Sequence, residues 1–176
     1  MPTETFLLER FATPTGRMLL VNDEQGQLRF IDWEDHEARM QRLLARYYRK
    51  TNIVLREVTR MSAARHALEA YFAGDLEAID ALGTMTTGTD FQREVWGALR
   101  RIPTGRTLSY GALATNIGRP AAVRAVGLAN GANPIAIVVP CHRVVGADSS
   151  LTGYGSGIDR KRWLLEHEQA IAPRLI

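Results

Sequence analysis

The chain has one cysteine, Cys141, flanked by Pro140, His142 and Arg143 at the end of the apolar run Ile137–Val139. Such a thiol can act as a nucleophile once it is the thiolate, a form that positive charge or an adjacent base favours. A buried cysteine is more often a small inert apolar residue. Pro140 weighs against that reading, because proline cannot continue a central strand, so the thiol sits where the regular chain breaks. Neighbours in an extended strand point to opposite faces, so joining Cys141 to His142 needs a local bend or a bridging water. In "WLLEHE", Glu166 and Glu168 read first as solvated helix charges, although one of them could orient His142. The four histidines, His36, His66, His142 and His167, lack metal-ligand spacing, so no metal is expected. The stretch "GYGSGIDRK" lacks the lysine spacing of a phosphate loop and reads as a flexible glycine-rich wall over a pocket.

The elements that must position these residues divide at "ALGTMTTGTD", which is polar, glycine-rich and without periodicity. The division expected is residues 1–83, a linker over 84–89, and residues 90–176. The first part opens with short apolar runs separated by "PTG" and "EQG", which predict a small antiparallel sheet of three strands. "HEARMQRLLARYYRK" and "SAARHALEAYFAG" then carry helical spacing, the second closed by Gly74.

The second part starts with Thr89 and Gln92, a capping box before "FQREVWGALRRI", and Pro103 and Gly105 end that helix. Ser109 caps "YGALATNIG", Gly118 stops it, and "AAVRAVGLANG" follows Pro120 as a second short helix. Two short helices around a glycine-containing turn form a helix-turn-helix pattern. "PIAIVVPC" is predicted as a buried strand from its β-branched run, and "DRKRWLLEHEQA" as a final helix. The second of the paired helices is unusual for a reader of bases, since Arg124 is its single charge among small residues. Small residues allow close backbone approach, either to a narrow minor groove or to another helix, and the direction of Arg124 separates the two.

With 176 residues, 45% of them hydrophobic, the chain suits one compact domain or two small ones. No apolar run reaches the roughly 20 residues that span a bilayer, and the first residues do not resemble a signal peptide. A lone cysteine excludes an internal disulfide framework and agrees with a reducing cytoplasm. Residues 1–89 hold 11 basic and 13 acidic side chains, whereas residues 90–176 hold 11 basic and 6 acidic. A polyanion would therefore be steered to the second part. Ordinary surface scatter of charge explains the same numbers.

Taken together, "IPTGRTLSYGALA", "RPAAVRAVGLANGANP", "VPCHRVVG" and "TGYGSG…KRWLLEHE" resemble the O6-alkylguanine-DNA alkyltransferase family, in order and spacing, from Phe91 to Glu168. The first part is similar only through "ATPTGRMLLV" and "LEAYFAGD". The resemblance implies an α/β protein of two small domains: an N-terminal RNase H-like antiparallel sheet with helices, and a mainly helical C-terminal domain with the helix-turn-helix. It implies DNA repair by direct reversal, in a free-standing bacterial-type suicide enzyme that flips O6-alkylguanine, and also O4-alkylthymine, out of duplex DNA. A non-catalytic DNA-binding regulator is the rival, and a cysteine-dependent hydrolase a weaker one.

By the same resemblance Cys141 accepts the alkyl group, His142 takes its proton through a water, and Glu168 orients the imidazole. Asn133 braces the active-site turn. Arg124 fills the gap left by the flipped base, while Tyr110 crowds the phosphate and hydrogen-bonds guanine N3. Ala122, Ala125 and Gly127 face the minor groove. The carbonyls of Cys141 and Val144, the Tyr154 ring and the Gly155 N–H line the pocket. Ala136 stands where some members carry a proline, which implies room for adducts larger than methyl. No cofactor or metal is implied, no membrane is involved, and the protein acts in the cytoplasm as a monomer, with clustering along DNA left open. Two departures bear on the glycine-rich wall: Gly155 replaces a usual serine or alanine, and "GADSSLTGY" lacks a glycine turn common before "TGY".

Overall fold

The computed structural model describes residues 1–175, which divide into two compact units, one of residues 1–87 and one from Gly88 onward. In the first, β1 (Thr3–Thr13), β2 (Gly16–Asp23) and β3 (Leu28–Trp33) form the antiparallel meander that the turn signals imply. Gly16 and Gly26 take positive φ at 120° and 83° in the two turns, a region that glycine enters without steric cost. A fourth strand, β4 (Asn52–Glu57), pairs parallel to β1 and gives the order β3-β2-β1-β4. It was not expected from the sequence, because its residues are mostly exposed and its partner lies far back in the chain.

Alternation along β1 splits the sheet into two faces. Phe6 and Leu8 join Leu19, Val21, Phe30 and Met40 of α1 (Glu37–Tyr47) in one core cluster. Glu9 points the other way and accepts hydrogen bonds from Ser62 N and Oγ, the residue that caps α2 (Ala63–Phe72). Both faces of β2 are thereby buried, and Gly74, at φ 113°, closes α2 as predicted.

The second unit holds α3 (Asp90–Arg100), β5 (Leu108–Ser109), α4 (Tyr110–Asn116), α5 (Val123–Gly131), β6 (Val144–Val145) and α6 (Ile158–His167). The Thr89–Gln92 capping box is present with both of its bonds. Ser109 caps α4, and Gly118 turns the chain at φ 74°. The helix-turn-helix forms, although α5 starts at Val123 and leaves Pro120 in the connecting turn. Trp96 of α3 donates from its indole N–H to the Ala129 carbonyl at 2.9 Å, fixing the inner side of α5. The short β5 lies parallel to β6, which sets Tyr110, the first residue of α4, beside the chain that leaves the cysteine.

Candidate active site

The apolar run before the cysteine is buried as expected, but it is not a strand. Asn133 supplies the hydrogen bonds that a neighbouring strand would have given. Its Nδ2 donates to the carbonyls of Val139 at 2.8 Å and Ile135 at 3.3 Å, and its Oδ1 accepts from Ile135 N at 3.0 Å. Val138 N bonds the Ala136 carbonyl and Cys141 N the Val139 carbonyl, both at 2.8 Å, so the chain coils in tight three-residue turns. The bend passes through Ile137 at φ 70°, a rare conformation for a β-branched residue that costs on the order of 1–3 kcal/mol. The Asn133-Pro134 pair is the local signal of a turn that the β-branched run outweighed.

The coil delivers Cys141, His142 and Arg143 into a single 3-10 turn. With three residues per turn, successive side chains of this turn point about 120° apart rather than to opposite faces as in a strand. Cys141 is 7% exposed, and its carbonyl accepts a 3.4 Å bond from Asn130 Nδ2 of α5. His142 is fully buried, with Nε2 at 2.8 Å from Glu168 Oε1. A carboxylate can only accept, so Nε2 carries the proton and Nδ1 presents its lone pair. Nδ1 is buried and meets no protein hydrogen-bond partner among the described residues.

Burial holds the His142 pKa below its ordinary value near 6.5, and the positive charges of Arg143 and Lys161 act the same way, outweighing the pull of Glu168. The imidazole is therefore neutral and basic at physiological pH. For Glu168, burial acts upward, but His142 and the Arg143 guanidinium overcome it and hold the carboxyl well below the usual range. Glu166, the other candidate orienter, makes no such contact.

Two groups whose burial sequence reasoning missed complete the site. Arg143 is 4% exposed and donates to Glu168 from Nε and Nη2, each at 2.9 Å, to the Ile102 carbonyl at 2.7 Å and to Thr104 Oγ1 at 3.1 Å. It ties the cysteine turn to the end of α3 and to the residue after α6. Lys161 of α6 is fully buried, and its Nζ donates to the carbonyls of Val144 at 2.5 Å and Thr152 at 2.8 Å. Burial lowers its pKa to about 8, against an opposing pull from Cys141. In the sequence Arg143 is a charge next to the thiol and Lys161 one of several cations in the last helix; the structure adds that both are buried.

The Tyr110 hydroxyl donates to the same Thr152 carbonyl at 3.1 Å, and burial, with a smaller contribution from Cys141, raises its pKa. Tyr110 thus lies between α5, where a Cβ on Gly127 would meet its ring at 3.9 Å, and the glycine-rich wall, where one on Gly153 would meet its hydroxyl at 3.7 Å. Val144 is buried beside the turn, Ala136 is 8% exposed, Tyr154 is half-buried and Gly155 is exposed. In the stretch of the wall that lacks a glycine turn, Ser149 itself adopts φ 66°, within a turn where Gly146 N bonds the Ser150 carbonyl at 2.8 Å. On α5 the buried face is Val126, Ala129 and Asn130. Arg124 and Ala125 are exposed and Ala122 and Gly127 half-buried, so Arg124 points away from the apolar face.

Two family models account for nearly the whole chain. Residues 7–84 match the ribonuclease-like domain of 6-O-methylguanine DNA methyltransferase, and residues 90–170 match its DNA-binding domain. A Salmonella typhimurium protein named methylated-DNA–protein-cysteine methyltransferase is 54% identical over 162 residues, covering 92% of this chain and 95% of that protein. A crystal structure of Mycobacterium tuberculosis O6-methylguanine methyltransferase superposes with a TM-score of 0.73 at 41% identity, covering 96% of this chain and 95% of that one. The same organism's protein in complex with DNA gives a TM-score of 0.73 at 41% identity, with 93% of each chain covered. On its sequence and its fold alike, the chain belongs to the methylated-DNA–protein-cysteine methyltransferase family.

Proposed function

We propose that the protein repairs duplex DNA by transferring the alkyl group of O6-alkylguanine to Cys141, irreversibly and once per molecule. The observation that carries this reading is the buried Cys141–His142–Glu168 constellation, in which a neutral imidazole presents Nδ1 while its Nε2–H is held by a carboxylate. His142 accepts the thiol proton through a water at Nδ1. The thiolate attacks the alkyl carbon in line, the new S–C bond forms as the C–O6 bond breaks, and the electron pair leaves with the guanine. The proton released from Cys141 balances the one that the departing base takes up. The product is a thioether, which no group at the site can hydrolyse.

A base stacked in a duplex hides its O6 substituent, so the nucleotide must rotate out, at a cost of about a few kcal/mol. The exposed Arg124 supports its role as the side chain that fills the vacated place, with Ala122, Ala125 and Gly127 letting α5 approach the minor groove. Tyr110 exchanges its bond to Thr152 for guanine N3, and negative charge on the leaving base is stabilised there and at O6 by the Gly155 N–H. The carbonyls of Cys141 and Val144 take the exocyclic amine, with the half-buried Tyr154 ring along the pocket. Ala136 in place of a ring-constrained residue supports acceptance of adducts larger than methyl, and O4-alkylthymine presents the same reacting geometry. The protein binds DNA as a monomer in the cytoplasm, where a reactive thiol stays reduced.

A regulator without chemistry would have no use for a buried base held beside the only thiol. The test is mass spectrometry of the Cys141 peptide after mixing with an O6-methylguanine duplex. A gain of one methylene mass at one equivalent is expected, and an unmodified peptide would overturn the reading. Cys141→Ser abolishes transfer and leaves binding to alkylated duplex intact.

A further inference from the structure

Outward from the cysteine turn, α5 presents a side chain that the reading above does not use. Leu128 is 72% exposed, far more than any leucine in the core, and Val123, on the same helix, is 40% exposed. Leu128 follows Arg124 by four residues, so the two are neighbours on one helical face, one turn apart. Around them the outer surface is small: Ala121 and Ala125 are exposed and Gly127 half-buried, with no acidic residue anywhere in α5. At 72% exposure Leu128 adds little to the core, because the inward face of this helix is already filled by Val126, Ala129 and Asn130.

We infer that Leu128 is a second DNA-contacting residue, an apolar one, which packs into the minor groove one turn beyond the point where Arg124 enters the duplex. The inference rests on the reading of α5 as the minor-groove face. Deoxyribose edges and an opened base step offer the apolar surface such a side chain can cover, as apolar residues do in other minor-groove binders. The occupant is DNA rather than a second copy of the chain, because the same face carries an arginine without an acidic neighbour on α5 and lies in the half of the sequence with the basic excess. The two contacts differ in kind. Arg124 displaces counterions, so its part in binding weakens with salt, whereas Leu128 displaces only water.

That difference supplies the test: the affinity for an O6-methylguanine duplex measured across a range of salt concentrations for the native chain, Leu128→Ala, Leu128→Met and Arg124→Ala. Leu128→Ala should weaken binding roughly 3- to 10-fold at every salt concentration, without changing the slope of log affinity against log salt. Leu128→Met should restore most of the loss, and Arg124→Ala should lower the slope by about 1. Reaction with free O6-alkylguanine base, which needs no duplex, should be unchanged in Leu128→Ala and serves as the check on folding. Affinity equal to native in Leu128→Ala, with Arg124→Ala weakened, overturns the inference alone. Native affinity in both variants overturns the reading of α5 as well. A changed salt slope, or a change in the sedimentation of the free Leu128→Ala protein with DNA affinity unaltered, also overturns the inference, the latter in favour of a second copy.

Discussion

His142 is a useful base because of what surrounds it. Full burial disfavours its charged form, and the same burial forces Glu168 to be matched on both sides, by the imidazole and by Arg143. Changing Glu168 to Gln leaves an acceptor for Nε2–H but strips the buried guanidinium of its counter-charge. Removing one partner of a buried pair costs about 3–5 kcal/mol. Urea unfolding should register a loss of that size, with alkyl transfer to free base falling in parallel; a variant as stable as the native chain would remove Arg143 and Glu168 from the framework. The pH dependence follows from the direction of the shift. The folded His142 binds its proton less readily than the unfolded one, so stability from this group is complete above about pH 6.5 and declines as the unfolded chain takes up a proton below it. The depressed Glu168 acts in the same sense at lower pH. Thermal melts should therefore fall on acidification from pH 7 to 5, and reaction with free base should remain constant through pH 6.5. At this scale "PCHR" marked the thiol and the imidazole next to it as candidates, whereas Glu168 was singled out from Glu166 only by the family resemblance and not by its spacing. Arg143 was visible as a charge beside the thiol but not as the buried partner of Glu168, and Lys161 was not visible as part of the site, because nothing in a cation's neighbours along the chain announces that folding will bury it.

Short elements follow local rules, and those rules were legible. The Thr89 cap, the Ser109 cap and the stops at Gly74 and Gly118 each involve groups within a few residues of one another. Thr89→Ala should cost about 1 kcal/mol in chemical denaturation, and an unchanged midpoint would discount the cap. Where hydrogen bonds come from elsewhere, the local pattern fails. β4 is defined by β1, roughly fifty residues earlier, and its exposed alternation offers little apolar signal. The run from Ile135 to Val139 has strand composition, yet one asparagine side chain takes the bonds a sheet would have made. Ser149 belongs to the same scale. Its φ of 66° is a conformation that glycine adopts at lower cost, so Ser149→Gly should stabilise the loop by about 0.5–1 kcal/mol. A loss of stability there would contradict the turn described.

Over the whole molecule the charge is uneven, with the excess of basic residues in the half that carries the cysteine and the helix-turn-helix. Affinity for duplex DNA should fall linearly in log–log form with salt, by about 0.9 for each phosphate neutralised. A flat dependence measured by fluorescence anisotropy would remove the electrostatic part of binding. Because the chain holds a single cysteine, its chemistry also has an arithmetic. Each molecule enters with one thiol, and a completed reaction leaves it with none. Unfolded in denaturant so that burial no longer shields the sulfur, a population of this protein can be titrated with a thiol reagent. The shortfall from one thiol per chain is then a tally of lesions removed, a record written into the repair protein and kept after the DNA has been restored.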